Sequence, residues 1–223
     1  MKALSKPTKL FVWDLHGTLE QGNEDAVIEL SNMALAELGY KERFLPQDSR
    51  NLYGLKWFEY FEHLLPNEPP SQHLELQATS FALSDANPQL IARYMRPAAH
   101  AHTVLQDLAN SPHQQILISN TIHTAVPLFL KALAMEQFFG SGHAFSVNAH
   151  AREALRTKED ALTEFLNGKT FDQLVVIGDS ATDLRLATAR GATAYLYAHP
   201  GYEFRADGGD HRIHDLRRVL QEV

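Results

Sequence analysis

The clearest apolar run near the amino terminus, Leu10-Phe11-Val12-Trp13, ends at Asp14, and its length suits a buried strand. Gly17-Thr18 then turns the chain. After a polar loop, Glu20 to Asp25, the residues Val27, Leu30, Ala34, Leu35 and Leu38 fall on one face at helical spacing, with Gly39 placed to cap the helix end. From there to Tyr94 no strand pattern stands out. Leu55–Leu65, Ser71–Leu83 and Pro88–Met95 read as short helices divided by Pro66, Pro69-Pro70 and Asn87-Pro88. Trp57, Phe58, Tyr60 and Phe61 sit at a spacing that fits core packing.

The texture changes at Arg96-Pro97. Ala98–Ala109 predicts an amphipathic helix, Gln115–Ser119 a buried strand ending in Ser119-Asn120-Thr121, and Thr124–Ala134 a helix with Pro127 near its first turn. Ala144–Val147 is a weaker strand, and Thr157–Leu166 a helix with Thr157 as N-cap. Leu174–Ile177 is the second strong strand, running into Gly178-Asp179-Ser180-Ala181-Thr182-Asp183. A helix over Leu184–Arg190, closed by Gly191, a strand over Ala192–Leu196 and a helix over His214–Gln221 complete the chain. Strands alternating with helices predict an α/β fold with a parallel sheet. The all-helical stretch interrupts that alternation after the first strand. It is expected to be an inserted cap of residues 20–96 on a core of 1–19 and 97–223, with linkers near Gln21-Gly22 and Arg96-Pro97.

Composition narrows the function classes. A chain of 223 residues is long enough for one large domain or a core with a smaller insert. A net charge of −7 argues against a nucleic-acid surface, which needs a basic stripe. Any anionic substrate must therefore be drawn in by a metal or a few placed cations. Cysteine is absent, which excludes disulfides and thiolate chemistry. Met1 to Lys9 carries three lysines, but the four apolar residues that follow are too few for a signal peptide or a membrane span. A cytoplasmic protein with no membrane partner, monomeric or homodimeric, is expected.

Three strand ends carry polar chemistry: Asp14, Ser119-Asn120, and Asp179 with Asp183. Lys158 lies on the helix before the last of them. In a parallel sheet these ends share one edge, where ligands bind. Converging carboxylates repel unless a cation sits among them, and hard oxygen ligands suit Mg²⁺. A lysine and a serine hydroxyl add the positive charge and the donor that phosphoryl transfer uses.

This ordered set, Val12-Trp13-Asp14-Leu15-His16-Gly17-Thr18, Ile118-Ser119-Asn120, Lys158 and Gly178-Asp179-Ser180-Ala181-Thr182-Asp183, resembles the haloacid dehalogenase-like superfamily over nearly the whole chain. The tail, with Ile213-His214-Asp215-Leu216, is similar to its phosphoglycolate phosphatase and β-phosphoglucomutase branch. The resemblance implies a Rossmann-like three-layer core with a helical cap, and a Mg²⁺-dependent phosphatase acting on a small phosphorylated metabolite. It implies Asp14 as the nucleophile that becomes an aspartyl phosphate. Mg²⁺ would be held by the carboxylates of Asp14 and Asp179 and the backbone carbonyl of His16, with Asp183 in support. Ser119 and Asn120 would meet the phosphoryl group, Lys158 would neutralise it, and Thr18 would buttress the loop by hydrogen bonding. Arg152 and Arg156 are the rivals of Lys158 for its role.

The pattern departs from the family at His16, where phosphatases carry a second aspartate that protonates the leaving group and then deprotonates water. Imidazole exchanges protons near neutrality, so His16 is expected to take over that role. Two other readings are poor proton transfer with a preference for good leaving groups, and a residue that only fills space in a slow or inactive protein. In the cap, Ser49-Arg50-Asn51-Leu52-Tyr53-Gly54-Leu55-Lys56 resembles the loop that faces the active site in this branch, making Arg50 and Lys56 candidates for an anionic substrate group. The competing functions are a sugar-phosphate phosphotransferase or mutase, and a binding protein that kept the fold without the chemistry.

Overall fold

The computed structural model describes residues 8–148 and 156–223. In chain order the strands are β1 (Lys9–Trp13), β2 (Glu20–Gln21), β3 (Arg96–Pro97), β4 (Gln114–Ser119), β5 (Ala144–Ser146), β6 (Gln173–Gly178), β7 (Thr193–Tyr197) and β8 (His211–Ile213). The helices are α1 (Asn23–Glu37), α2 (Asp48–Asn51), α3 (Trp57–Leu64), α4 (Pro70–Ala86), α5 (Pro88–Tyr94), α6 (Ala101–Ala109), α7 (Ala125–Ala132), α8 (Lys158–Leu166) and α9 (Ala181–Arg190), followed by a 3₁₀ segment over Leu216–Glu222.

Six strands form one sheet in the order β5-β4-β1-β6-β7-β8, every neighbouring pair parallel. The side chains of β1 explain why it lies near the centre. Phe11 and Trp13 enter the larger apolar cluster, while Leu10 and Val12 enter the other with Ala161, Leu162 and Phe165 of α8 and Leu186 and Ala187 of α9. Strand side chains alternate between faces. A run apolar at every position is therefore what a strand covered on both sides requires.

Helices α1 to α5 fill the stretch between β2 and β3, which pair antiparallel with Glu20 opposite Pro97 and Gln21 opposite Arg96. The chain thus leaves and rejoins the sheet region through two adjacent segments. The helices bury Leu30, Ala34, Leu35, Trp57, Tyr60 and Phe61, and the Trp57 indole N–H donates to Ser31 Oγ at 2.7 Å. No helix among the described residues is long and apolar enough to cross a membrane.

Two terminal features differ from the sequence expectation. The strand β8, with only Ile213 buried, is too short and polar to show a period. The final helix is a 3₁₀ segment that begins later, because Asp215 Oδ1 accepts from Arg217 N–H at 3.0 Å while the His214 ring is tied to the Ala198 carbonyl at 3.0 Å.

Candidate active site

Asp14, Ser119 and Asp179 lie at the carboxyl ends of β1, β4 and β6, three neighbouring strands. The chain reverses its direction of travel across the sheet between β1 and β6, and such a switch point leaves a crevice where ligands bind. The Asp14 N–H donates to the Ile177 carbonyl at 2.9 Å, so Asp14 continues the β1–β6 pairing by one residue. The chain then turns sharply: Thr18, Leu19 and Glu20 all direct N–H groups at the Leu15 carbonyl. Gly17 makes that turn with φ +80°, and a Cβ there would stand 2.0 Å from the Tyr53 hydroxyl and 2.2 Å from Asp179 Oδ2. The position needs glycine on both counts.

Asp14, Asp179 and Asp183 are buried, with one oxygen of each within 4.8 Å of the others. Lys158, itself buried, bridges two of them: Nζ donates to Asp14 Oδ1 at 2.5 Å and to Asp183 Oδ1 at 2.7 Å. Its helix starts from a capping box in which Thr157 Oγ1 accepts from Asp160 N–H at 3.1 Å and Asp160 Oδ2 accepts from Thr157 N–H at 2.8 Å. The second oxygen of Asp183 accepts from the Ser180 hydroxyl at 2.6 Å, so this carboxylate is occupied with orienting α9 and Lys158. Arg156 pairs instead with Glu164. Arg152 lies outside the described residues.

Burial raises the Asp14 carboxyl above its ordinary range, Lys158 pulls it down, Asp183 pushes it up, and the net direction is upward. Burial opposes the Lys158 ammonium, but the two carboxylates outweigh it and hold the charge. Asp179 is pushed up to about 7 by burial, against Arg205 and with the help of Asp14 and Asp183. Three buried carboxylates with an oxygen of each within 4.8 Å of the others fit a divalent cation. Its donors are hard oxygens, and the hydrogen bonds on Asp14 Oδ1 and Asp179 Oδ2 leave the opposite oxygens for it.

His16 lies at the cavity over the cluster, its Nδ1 2.8 Å from Oε1 of the fully buried Glu20. Its ring meets Phe129 edge-on at 5.0 Å. Burial disfavours the imidazolium, but the hydrogen bond and charge of Glu20, with Asp14 and Asp179, raise the group above its ordinary value. Glu20 Oε2 accepts from Asn23 N–H at 3.3 Å, and the Glu20 carbonyl is tied to the His199 ring at 3.0 Å. The carboxylate is thus held from both sides of the loop.

Ser119 is fully buried and lines the cavity with Asn120, its hydroxyl accepting from Thr121 N–H at 3.4 Å. Thr18 does not line the cavity, and its buried hydroxyl has no hydrogen-bond partner among the described residues. The expected side-chain buttress is replaced by the backbone bonds to Leu15. Arg50 and Lys56 also stand away from the cavity, over the Tyr202 ring at 4.9 Å and the Phe58 ring at 5.7 Å. Tyr53 and Gly54, between them in sequence, face it instead.

A second cation beside Lys158 reaches the cluster, Arg205, which sequence reasoning missed. Its Nη1 donates to Asp179 Oδ2 at 2.5 Å, and its guanidinium lies 4.7 Å from the Tyr53 ring centre. Gly54 carries φ +85°, and a Cβ there would stand 1.5 Å from Arg205 Nη2, so the cap loop approaches the arginine closely only because glycine sits there. Arg205 lies in an irregular loop after β7, where no periodicity signals its direction.

A doubly wound parallel sheet with a lysine-bridged carboxylate cluster at its switch point defines the class of protein. The family model for haloacid dehalogenase-like hydrolases matches residues 11–196, and the chain belongs to that family. Its fold is similar to that of a predicted phosphoglycolate phosphatase from Haemophilus somnus 129PT, at TM-score 0.76 and 14% identity, covering 98% of this chain and 99% of that one. A haloacid dehalogenase-like hydrolase from Streptococcus pneumoniae matches at TM-score 0.72 and 17% identity, covering 96% and 98%. A HAD family hydrolase from Deinococcus radiodurans R1, solved with bound phosphate and sodium, matches at TM-score 0.66 and 20% identity, covering 97% and 96%. No curated protein sequence matches the chain.

Proposed function

We propose that the protein is a Mg²⁺-dependent phosphatase of a small phosphorylated metabolite, with residues 20–96 acting as a cap over the core. The observation that carries this reading is the convergence of Asp14, Asp179, Asp183 and Lys158 at one buried point beneath a cavity. The Deinococcus radiodurans hydrolase of similar fold was solved with bound phosphate, which supports a phosphoryl ligand for this chain. The carboxylates of Asp14 and Asp179 and the carbonyl of His16 would hold the cation, which when bound neutralises charge on the phosphoryl oxygens.

The remaining chemistry belongs to the chain. An Asp14 carboxylate oxygen attacks phosphorus, the ester P–O bond breaks, and the leaving oxygen takes its proton from the His16 imidazolium. Glu20 occupies Nδ1, so the proton exchanged is the one on Nε2. Neutral His16 then removes a proton from water, whose oxygen attacks the aspartyl phosphate and releases inorganic phosphate and free Asp14. Ser119 and Asn120 meet the phosphoryl oxygens, and Lys158 holds Asp14 and balances its charge.

A panel of phosphate esters, with and without Mg²⁺, tests the reading on the wild type and Asp14→Asn. Mg²⁺-dependent phosphate release lost in the variant is expected. No turnover of any ester would refute it in favour of a binding protein, and sugar-phosphate interconversion without release would point to a mutase.

A further inference from the structure

The cavity over the cluster has a volume of about 920 Å³, near the top of the range for sites that take drug-sized ligands. A phosphate and a two-carbon tail would leave most of it unfilled. Its floor is polar, with Asp14, His16, Ser119, Asn120 and Asp179. Its walls carry a hydrocarbon stretch, Val27 and Leu30 of α1, Trp57 of α3, Phe81 of α4, and Leu128 and Phe129 of α7, beside the polar Asn23, Glu24, Ser84, Asp85 and Gln89. Trp57 and Phe81 meet edge to face with ring centres 4.9 Å apart. The indole N–H is already given to Ser31, so Trp57 offers a ligand apolar surface.

Charge on the walls points the same way. Among the described residues, the lysine and arginine side chains that line the cavity are Arg205, held on Asp179, and Lys131, exposed at the end of α7. The buried carboxyl of Glu24 faces the same space. A second anionic group on the substrate would meet the carboxyls of Glu24 and Asp85, which line the same space. Of the four exposed large apolar side chains among the described residues, two, Leu55 and Leu128, stand at this cavity. They would be covered by an apolar ligand.

Building on the phosphatase reading, we propose that the group esterified to the substrate's phosphate is bulky, apolar and uncharged, as in an arylalkyl or branched-alkyl phosphate. Phosphate then anchors at the floor while the organic group is selected by burial against Trp57, Phe81 and Phe129.

The test compares kcat/KM for phenethyl phosphate, 2-phosphoglycolate and glucose 6-phosphate, all esters of primary alcohols. Phenethyl phosphate is expected to lead both by about tenfold or more, since a single methylene discriminates by roughly 10–200-fold in apolar pockets. Leu128→Lys, at a position 41% exposed, is expected to narrow that lead by favouring the anionic glycolate. A lead for 2-phosphoglycolate or glucose 6-phosphate overturns the inference and leaves the phosphatase reading intact. Tryptophan fluorescence of Asp14→Asn titrated with phenethyl phosphate separates the two claims. Saturable binding there, without turnover of any ester by the wild type, keeps the cavity assignment and removes the phosphatase. Neither binding nor turnover removes both.

Discussion

Glu20 Oε1 lies 2.8 Å from His16 Nδ1, and the carboxylate that makes this contact is fully buried. The pair resembles in logic an aspartate that orients a catalytic imidazole: it fixes the tautomer, and it holds positive charge on the ring. In the proposed reaction, where a family member usually carries a carboxylic acid, this chain would use an imidazole backed by a carboxylate four residues further on.

Replacing Glu20 with Gln removes the charge and keeps the shape. His16 stands raised because of Glu20, so the variant's imidazolium gives up its proton at lower pH. The alkaline limb of the kcat profile is therefore expected to move to lower pH, with turnover above neutrality falling by about tenfold or more. His16→Ala should lose roughly 10²–10⁴-fold on alkyl esters and far less on acetyl phosphate, whose leaving group needs little protonation. A Glu20→Gln profile lowered uniformly but unshifted would assign the pair a structural role alone.

Lys158 makes the strongest stability prediction. Lys158→Met leaves Asp14 and Asp183 buried without the ammonium that bridges them. Breaking one partner out of a buried ionic group costs about 3–5 kcal/mol. Urea unfolding in the absence of divalent ions should report a loss of that size, and activity should vanish. A Lys158→Met protein as stable as the wild type would contradict the bridging geometry.

The cluster also sets a pH dependence. Asp179 is raised to about 7 from its ordinary value of 3.8, and Asp14 and His16 are raised too. All three hold more proton folded than unfolded, so their contribution to stability is present below their ordinary values and is lost as pH rises through the raised ones. Without divalent ions, the melting temperature should fall between about pH 4 and about pH 7 more steeply in the wild type than in Asp179→Asn. Mg²⁺ should flatten the wild-type curve by replacing protons, and its binding should release protons in calorimetry across buffers. Arg205→Ala should raise the Asp179 carboxyl further in a ¹³C titration, because Arg205 is the group that lowers it. Parallel slopes for wild type and Asp179→Asn would show that this carboxyl is ordinary.

Legibility in the sequence followed the physics of each element. The four-residue core of β1, the β6 run and the Thr157 cap were readable because a strand covered on both faces and a capping box leave strong local signals. Asp14 and Asp179 were nameable because strand ends in a parallel sheet must share an edge, Asp183 because it follows Asp179 by four residues, and the role of Lys158 through the family resemblance. Arg205 was not, since its direction comes from a loop packed on Tyr53 and Gly54, a contact between distant segments. Glu20 was read as the start of a polar loop, whereas its burial depends on the turn that stacks three N–H groups on Leu15. The apolar character of Trp57 and Phe81 was visible, but not that part of it faces a cavity.

In the proposed reaction the Asp14 carboxylate takes the phosphoryl group onto itself. Acid-quenched enzyme, stopped during turnover of a ³²P-labelled ester, measures this directly. Label is expected on the peptide containing Asp14, lost on treatment with hydroxylamine and absent from Asp14→Asn. Steady turnover with no acyl phosphate on that peptide, or turnover that survives Asp14→Asn, would contradict it.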